Sequence, residues 1–399
     1  MVKLSIQDLD FQGKKVLMRV DFNVPIGKDG TVSDDTRICL SLPSIKYILK
    51  HGGSLILMSH LGRPNGKKEP KLSLKPCANH LSFLLQKEIQ FEPDCIGKSV
   101  KKTCELLRPG EILLLENLRF HIGEEYPDKD PTFAKSLSEL GEIYVNDAFG
   151  TAHRRHASTC TISQYFPNKS AVGFLMEQEV SFLSELLVNP SPPFYAILGG
   201  AKIGSKLGVL QSLLSKIQSI FIGGGMAFTF LKSKGIEIGD SLFDPLMLKK
   251  AETFLKRCKE LNVNVYLPLD IVIAGEFSND SQRKTVDASA GIPKGWKGMD
   301  IGPKTIKSWA YPLEKAKTIF WNGPMGVFEM SNFNSGTKAL TQKLSEINAL
   351  KIVGGGDSVA AVKMLNAQKN FTHISTGGGA SLEYLENGCL PGVDAISEK

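Results

Sequence analysis

The sequence predicts an α/β protein: two Rossmann-like, three-layer α/β/α domains, each with a mainly parallel sheet, joined by a hinge helix across a cleft. Three observations carry this prediction. Short, nearly continuous apolar runs recur along the chain, as strands buried on both faces require. Segments with helical period lie between them, and such alternation gives parallel sheets with right-handed crossovers. The length, 399 residues, exceeds one ordinary core and fits two domains of about 150–200 residues each.

The first strand is KVLMRV (15–20), followed by a helix over about 40–50. SLILMS (54–59) is the second strand, and a helix over about 73–88 carries Pro76 in its first turn, where a missing N–H costs nothing. EILLLE (111–116) and EIYVND (142–147) complete the strands of the first half. GFLMEQEVSFLSELL then reads as a helix bridging the lobes, with the boundary near 170–185 and the breaker NPSPP (189–193) after it. In the second half six apolar runs end in glycine or a turn-forming polar residue: AILGG (196–200), IFIGGG (220–225), VYLPLD (265–270), IFWNGP (319–324), KIVGGG (351–356) and HISTGGG (373–379). Between the first two, GVLQSLLSKIQSI (208–220) puts Leu210, Leu213, Leu214 and Ile217 on one helical face.

The formal charge of +7 is a mild excess, and no Lys/Arg block is long enough for a nucleic-acid arm. Seven of the nine arginines lie before residue 156, singly and mostly at strand ends, without interleaved aromatics. A forked guanidinium suits carboxylate or phosphate, so the first half is built for a small anion. The seven cysteines include no C-x-x-C, which fits reduced thiols in the cytoplasm. MVKLSIQDLD has no apolar core of a signal peptide, and no stretch approaches a membrane span.

In open parallel sheets ligands sit beyond the carboxyl ends of the strands. In the first half those positions hold Asp21-Phe22-Asn23, His60-Leu61-Gly62-Arg63, Asn117-Leu118-Arg119 and Asp147…His153-Arg154-Arg155; in the second they hold glycines with Lys202, Lys206 and Asp357. Glycine turns that open helices let backbone N–H groups approach phosphate oxygens, and the helix dipole adds positive charge. Ile96-Gly97-Lys98-Ser99 is no Walker loop, because Glu92 stands where the first glycine is needed, and no G-x-G-x-x-G fits any glycine run. His153-x-x-His156 lacks a third ligand and flanks arginines, so it reads as an anion contact or a solvated loop rather than zinc. Asp357 is either a first-turn acid or a Mg²⁺ ligand shared with phosphates. Lys202 and Lys206, four apart, form either a solvated face or a phosphate contact. Glu329, after WNGPMGVF, is a candidate ribose contact.

RVDFNVP (19–25), SHLGRP (59–64), LLENLRF (114–120), NDAFGTAHR (146–154), LGGAK (198–202), GGGMAFTFL (223–231), DIGP (300–303), WNGPMGVFE (321–329), GGGDSVAA (354–361) and STGGGASLE (375–383) occur in order over almost the whole chain. Together they resemble the phosphoglycerate kinase family. The resemblance implies reversible phosphoryl transfer in glycolysis, 1,3-bisphosphoglycerate and ADP giving 3-phosphoglycerate and ATP, with Mg²⁺. It implies that Asp21, Phe22, Asn23, Arg37, His60, Leu61, Gly62, Arg63, Arg119 and Arg154 hold the phosphoglycerate. Gly199, Gly200, Lys206, Gly298, Glu329, Gly355, Gly356, Asp357 and Ser358 would hold the nucleotide, with the metal on Asp357. Arg37 and Lys202 would flank the migrating phosphoryl, with backbone N–H groups at Gly355 and Gly378 beside it. The implied domains are 1–172 plus 385–399 for phosphoglycerate and 173–384 for nucleotide, closing on each other when both ligands bind, in a monomer. Gly204 and Gln178 depart from the family pattern. The alternative reading is another ATP-dependent phosphotransferase acting on a small carboxylate.

Overall fold

The computed structural model describes residues 3–201 and 203–399, and the chain divides into two compact units, residues 1–181 with 389–399, and 182–388. The sequence boundaries of 172/173 and 384/385 thus lie nine and four residues upstream of the observed divisions.

The first unit holds six strands: β1 (Lys15–Arg19), β2 (Ser54–Met58), β3 (Gln90–Glu92), β4 (Ile112–Leu115), β5 (Ile143–Asn146) and β6 (Ser170–Val172). They form one sheet in the order β3-β4-β2-β1-β5-β6, parallel throughout. Its helices are α1 (Thr36–Lys50), α2 (Lys75–Leu85), α3 (Lys98–Leu106), α4 (Ile122–Glu125) and α5 (Thr132–Ser138), and α6 (Phe174–Val188) contains the division between the units. One sheet face, with Val16, Met18, Leu55, Leu57, Ile112 and Leu114, packs on Ile38, Ile45 and Ile48 of α1 and on Cys77, Ala78 and Leu81 of α2. The alternate residues Leu17, Ile56, Leu113 and Tyr144 are buried as well, which is why the strands are apolar without alternation.

The second unit has a six-stranded parallel sheet in the order β15-β14-β13-β7-β8-β9, drawn from β7 (Phe194–Leu198), β8 (Ser219–Ile222), β9 (Asn264–Tyr266), β13 (Thr318–Asn322), β14 (Leu350–Gly354) and β15 (His373–Ile374). A separate antiparallel sheet orders β10 (Asp270–Ala274), β11 (Arg283–Asp287) and β12 (Lys297–Ile301) as β11-β10-β12. The helices are α7 (Gly204–Leu213), α8 (Met226–Ser233), α9 (Leu248–Glu260), α10 (Pro303–Leu313), α11 (Ser335–Glu346), α12 (Gly356–Met364) and α13 (Gly379–Asn387); α14 (Pro391–Asp394) belongs to the first unit. Trp321 of β13 and Phe221 of β8, both fully buried, centre the core with Trp309 and Leu313 of α10.

Three sequence expectations need correction. VYLPLD is two strand pieces, because Pro268 lies between β9 and β10, which join different sheets. The helix expected over 208–220 begins at Gly204 and ends at Leu213; Leu214 and Ile217 are buried in the turn that follows it. The helix expected over 73–88 stops at Leu85, where Gln86 takes a left-handed conformation at φ 50°.

Buried carboxylates tie the sheets to the helices. Asp147, just past β5, accepts from Met176 N at 3.1 Å in the first turn of α6. Asp270 opens β10 and accepts from Thr305 N (2.8 Å) and Lys304 N (3.0 Å), capping α10 from outside its own segment. Asp300 of β12 accepts from Gly336 N at 2.8 Å in α11. Glu116 accepts from Leu74 N at 2.8 Å just before α2. Burial pushes Asp147 up to about 6 and Asp300 up to about 7, the cost of keeping a carboxylate out of water. Asp270→Ala orphans two donors at the start of α10 and should lower stability by at least about 2 kcal/mol, read from urea unfolding with an unchanged m-value. Asp270→Asn keeps one acceptor oxygen and should lose less.

Candidate active site

In each parallel sheet the chain reverses its direction of strand addition at one place, and a crevice opens there beyond the carboxyl ends. In the first unit that place is β1, which lies between β2 and β5; in the second it is β7, between β8 and β13.

At the first crevice four arginines converge. Arg37, from the first turn of α1, donates from Nη1 to Asp21 Oδ2 at 2.8 Å. Arg19, the last residue of β1, is fully buried. It donates from Nε to Ser158 Oγ at 2.9 Å, from Nη1 to Val20 O, and from Nη2 to His60 Nδ1 at 3.1 Å. Ser158 Oγ donates on to the buried Glu124 at 2.7 Å. Arg119 donates from Nη1 to Gly62 O at 2.8 Å; its Nε lies 3.2 Å from Glu125 Oε1 without hydrogen-bond alignment, so that buried N–H is orphaned among the described residues. Arg154 Nε points at His153 Nε2, 3.3 Å away. Asn23 Oδ1 accepts from Gly62 N at 2.9 Å, which joins the loops after β1 and β2.

The surrounding imidazoles are neutral. Burial, then Arg19, Arg119 and Arg37, holds His60 well below its usual value. Burial, then Arg119, Arg19 and Arg154, takes His156 down to about 3, and His153 is lowered by burial and Arg154. Accepting from Arg19 at Nδ1 leaves the His60 proton on Nε2. His153 Nδ1 and His156 Nδ1, like Arg119 Nε, are buried with no hydrogen-bond partner among the described residues. A compact anion offers these groups what they lack: charge for the guanidiniums and acceptor oxygens for orphaned donors.

The second crevice has two kinds of glycine. A Cβ on Gly199 would strike Pro324 O, and one on Gly224 would strike Gly200 N, so these glycines serve close backbone packing between the loops after β7, β8 and β13. Around Gly356, Gly378 and Gly379 a Cβ would meet nothing within 4 Å. Those three open α12 and α13, and neither helix has a side-chain cap. A cavity of about 250 Å³ lies there, lined by Lys206, Asn322, Gly355 to Ser358, Gly378 and Gly379. Lys206 Nζ donates to Gly199 O at 2.5 Å and Asn322 O at 3.2 Å; burial lowers it to about 8, partly offset by Asp357. Asn322 Nδ2 is buried with no hydrogen-bond partner among the described residues. Backbone N–H groups at two helix starts, a desolvated lysine and an orphaned amide have the chemistry that suits a phosphate cradle.

An adjoining cavity of about 470 Å³ shares Asp357 with the cradle. Phe228, Leu242, Ile271, Met325 and Val327 give it apolar walls, while Lys297, Glu329 and Asp357 bring charge. An apolar slot joined to a phosphate cradle fits a flat ring carrying a phosphate chain.

Most residues predicted from sequence lie at these two edges. Gly199 and Gly200 shape the backbone, Gly298 lines the slot against Phe228, and Ser358 is buried with its hydroxyl accepting from Gly323 N at 2.5 Å. Phe22 and Leu61 turn their side chains into the core. Arg63 is exposed. Lys202 lies outside the described residues. The sequence missed Arg19, hidden inside an apolar strand, together with Glu124, Ser158 and Asn322. A charge inside an otherwise continuous strand was the available signal for Arg19.

The family model for phosphoglycerate kinase matches residues 6–388. Among curated relatives, the phosphoglycerate kinase of Pseudothermotoga lettingae is 49% identical over 100% of both chains. That of Borrelia garinii subsp. bavariensis is 51% identical over 99% of each. Among solved structures, the phosphoglycerate kinase of Coxiella burnetii superposes with a TM-score of 0.88 at 38% identity, covering 98% of both chains. That of Pyrococcus horikoshii gives 0.84 at 31% identity with the same coverage.

The neutral His156 has a consequence for pH. Its folded value of about 3 lies below the ordinary 6.5, so the unfolded chain binds the extra proton, and this group's contribution to stability is lost as pH falls below about 6.5. Replacing it, as His156→Asn, should flatten the dependence of unfolding free energy on pH between about 4 and 6.5, measured by urea titration at each pH.

Proposed function

This chain belongs to the phosphoglycerate kinase family, and on that premise we propose how its two sites divide the work of a phosphotransferase. The reaction is the reversible transfer of a phosphoryl group between 1,3-bisphosphoglycerate and ADP, giving 3-phosphoglycerate and ATP, a step of glycolysis. The guanidinium cluster of the first unit holds the phosphoglycerate through Arg37, Arg63, Arg119, Arg154, His60, Asp21 and Asn23. The second unit holds the nucleotide, with the ring in the apolar slot, Glu329 at the ribose and the phosphates on Lys206 and the open ends of α12 and α13. The observation that carries this reading is the pair of helix N-termini opening without side-chain caps onto one phosphate-sized cavity beside a ring-sized slot.

Both nucleophiles, a carboxylate oxygen and a β-phosphate oxygen, are ionised at neutral pH, so no general base is required. That agrees with histidines held neutral by their surroundings. Catalysis then consists of alignment and neutralisation of charge on the equatorial oxygens. Arg37 and the N–H groups at Gly355, Gly356 and Gly378 supply it from described residues, and the family pattern adds Lys202.

Asp357 suits Mg²⁺. It is an exposed hard-oxygen ligand beside the phosphate cradle, and Mg²⁺ is commonly held by one or two carboxylates plus phosphate oxygens and water. The ion would supply charge neutralisation on the nucleotide phosphates. Because an acyl phosphate hydrolyses readily, transfer calls for exclusion of water, so the units close when both ligands are bound. The enzyme works as a cytoplasmic monomer.

ATP formation from ADP, Mg²⁺ and 1,3-bisphosphoglycerate tests the assignment. Arg37→Ala should reduce kcat about 10²–10³-fold with the fold intact by circular dichroism, and Asp357→Ala should abolish the Mg²⁺ dependence along with most activity. Turnover with other small acyl phosphates but not this one would favour the alternative transferase. Small-angle scattering should show a smaller radius of gyration with both ligands than with either alone, and an unchanged radius would defeat closure.

A further inference from the structure

A second group of chemically reactive side chains lies in the first unit, outside the guanidinium cluster. Asp94 and Cys95 follow β3, and His121 follows the turn Leu118–Phe120 beyond β4. One ligand atom from each, a carboxylate oxygen, the thiol sulfur and an imidazole nitrogen, lies within 4.8 Å of the others. His121 Nε2 sits 2.7 Å from Asp94 Oδ1. The imidazole is stacked on Phe133, with centroids 5.2 Å apart and planes at 22°, so its ring plane is fixed before any ligand arrives. Cys95 N donates to Asp94 Oδ1 at 2.7 Å, which orients the carboxylate. Cys95 is fully buried, while Asp94 and His121 are reached by solvent.

We propose that Asp94, Cys95 and His121 form a binding site for a borderline-soft divalent ion of the zinc class, distinct from the Mg²⁺ that travels with the nucleotide. Sulfur with imidazole selects zinc over magnesium or calcium, which take oxygen ligands. Tetrahedral zinc with bonds of about 2.0–2.3 Å places its ligand atoms roughly 3.5 Å apart, so His121 Nε2 and Asp94 Oδ1, now 2.7 Å apart, must open while the remaining separations, all within 4.8 Å, adjust to that spacing. Binding forms a metal–sulfur bond; the thiol proton leaves to solvent and the His121–Asp94 hydrogen bond is given up. Three protein ligands leave the fourth position to water. His121 lies two residues after Arg119, so a bound ion would pin the turn that carries that guanidinium.

Co²⁺ serves as the spectroscopic probe on the full chain. The expected result is one Co²⁺ per chain with a thiolate-to-cobalt charge-transfer band that stoichiometric Zn²⁺ removes. Cys95→Ser should lose the band, and His121→Gln should weaken Co²⁺ binding by at least about tenfold. Thermal unfolding of each variant checks the fold, since Cys95 is buried and the half-buried His121 stacks on Phe133. Absence of the charge-transfer band in the wild type, a band that survives in folded Cys95→Ser, or unchanged affinity in His121→Gln would each overturn the proposal. Phosphoryl transfer is not the readout, so this test stands or falls apart from the assignment of the two substrate sites.

Discussion

The constraint on which both units depend is that a helix N-terminus near the edge of a buried sheet must find acceptors for its free N–H groups. This chain meets it in two ways. Asp147, Asp270 and Asp300 supply acceptors to α6, α10 and α11 from other segments of the chain, and Glu116 does so just before α2. Those junctions are sealed, and the sealing carboxylates remain buried although two of them are pushed well up by desolvation. The helices α12 and α13 have no such carboxylate. Among the described residues no side chain caps their first-turn donors.

The guanidinium cluster faces the opposite difficulty, too much like charge in one place. Arg19 reaches Glu124 through Ser158, and Arg37 is held by Asp21. Neutral imidazoles fill the remaining space without adding to the repulsion. The result is a set of cations whose positions are fixed by the scaffold.

The sheets were legible in the sequence because burial on both faces leaves an uninterrupted apolar run, and Leu17 with Val16 or Ile56 with Leu55 show that burial directly. Their carboxyl ends were legible for the same reason, and His60, Arg119 and Asp357 do lie beyond them; Arg37, in the first turn of α1, was reached only through the family resemblance. The antiparallel sheet was not. Arg283 and Lys284 of β11 are exposed, so the strand lacks an apolar signature. The role of individual glycines was illegible too: Gly199 and Gly356 look alike in sequence, and only the atoms facing each one tell packing from access. Arg19 escaped because its partner Ser158 lies 139 positions away.

The edge of the first sheet holds a further consequence. Leu4 N donates to Ser397 O, Asn146 Nδ2 donates to Gly392 O, and Gly392 packs against Ala152. The unit begun first during synthesis is therefore finished last, after the whole of 182–388 has been made. Until then Asn146, at the end of a central strand, lacks that carbonyl. The second unit is contiguous in sequence, whereas the first lacks these bonds until its closing segment has been made. A nascent chain stalled shortly before residue 389 would hold nearly all of the second unit but lack the segment that completes the first.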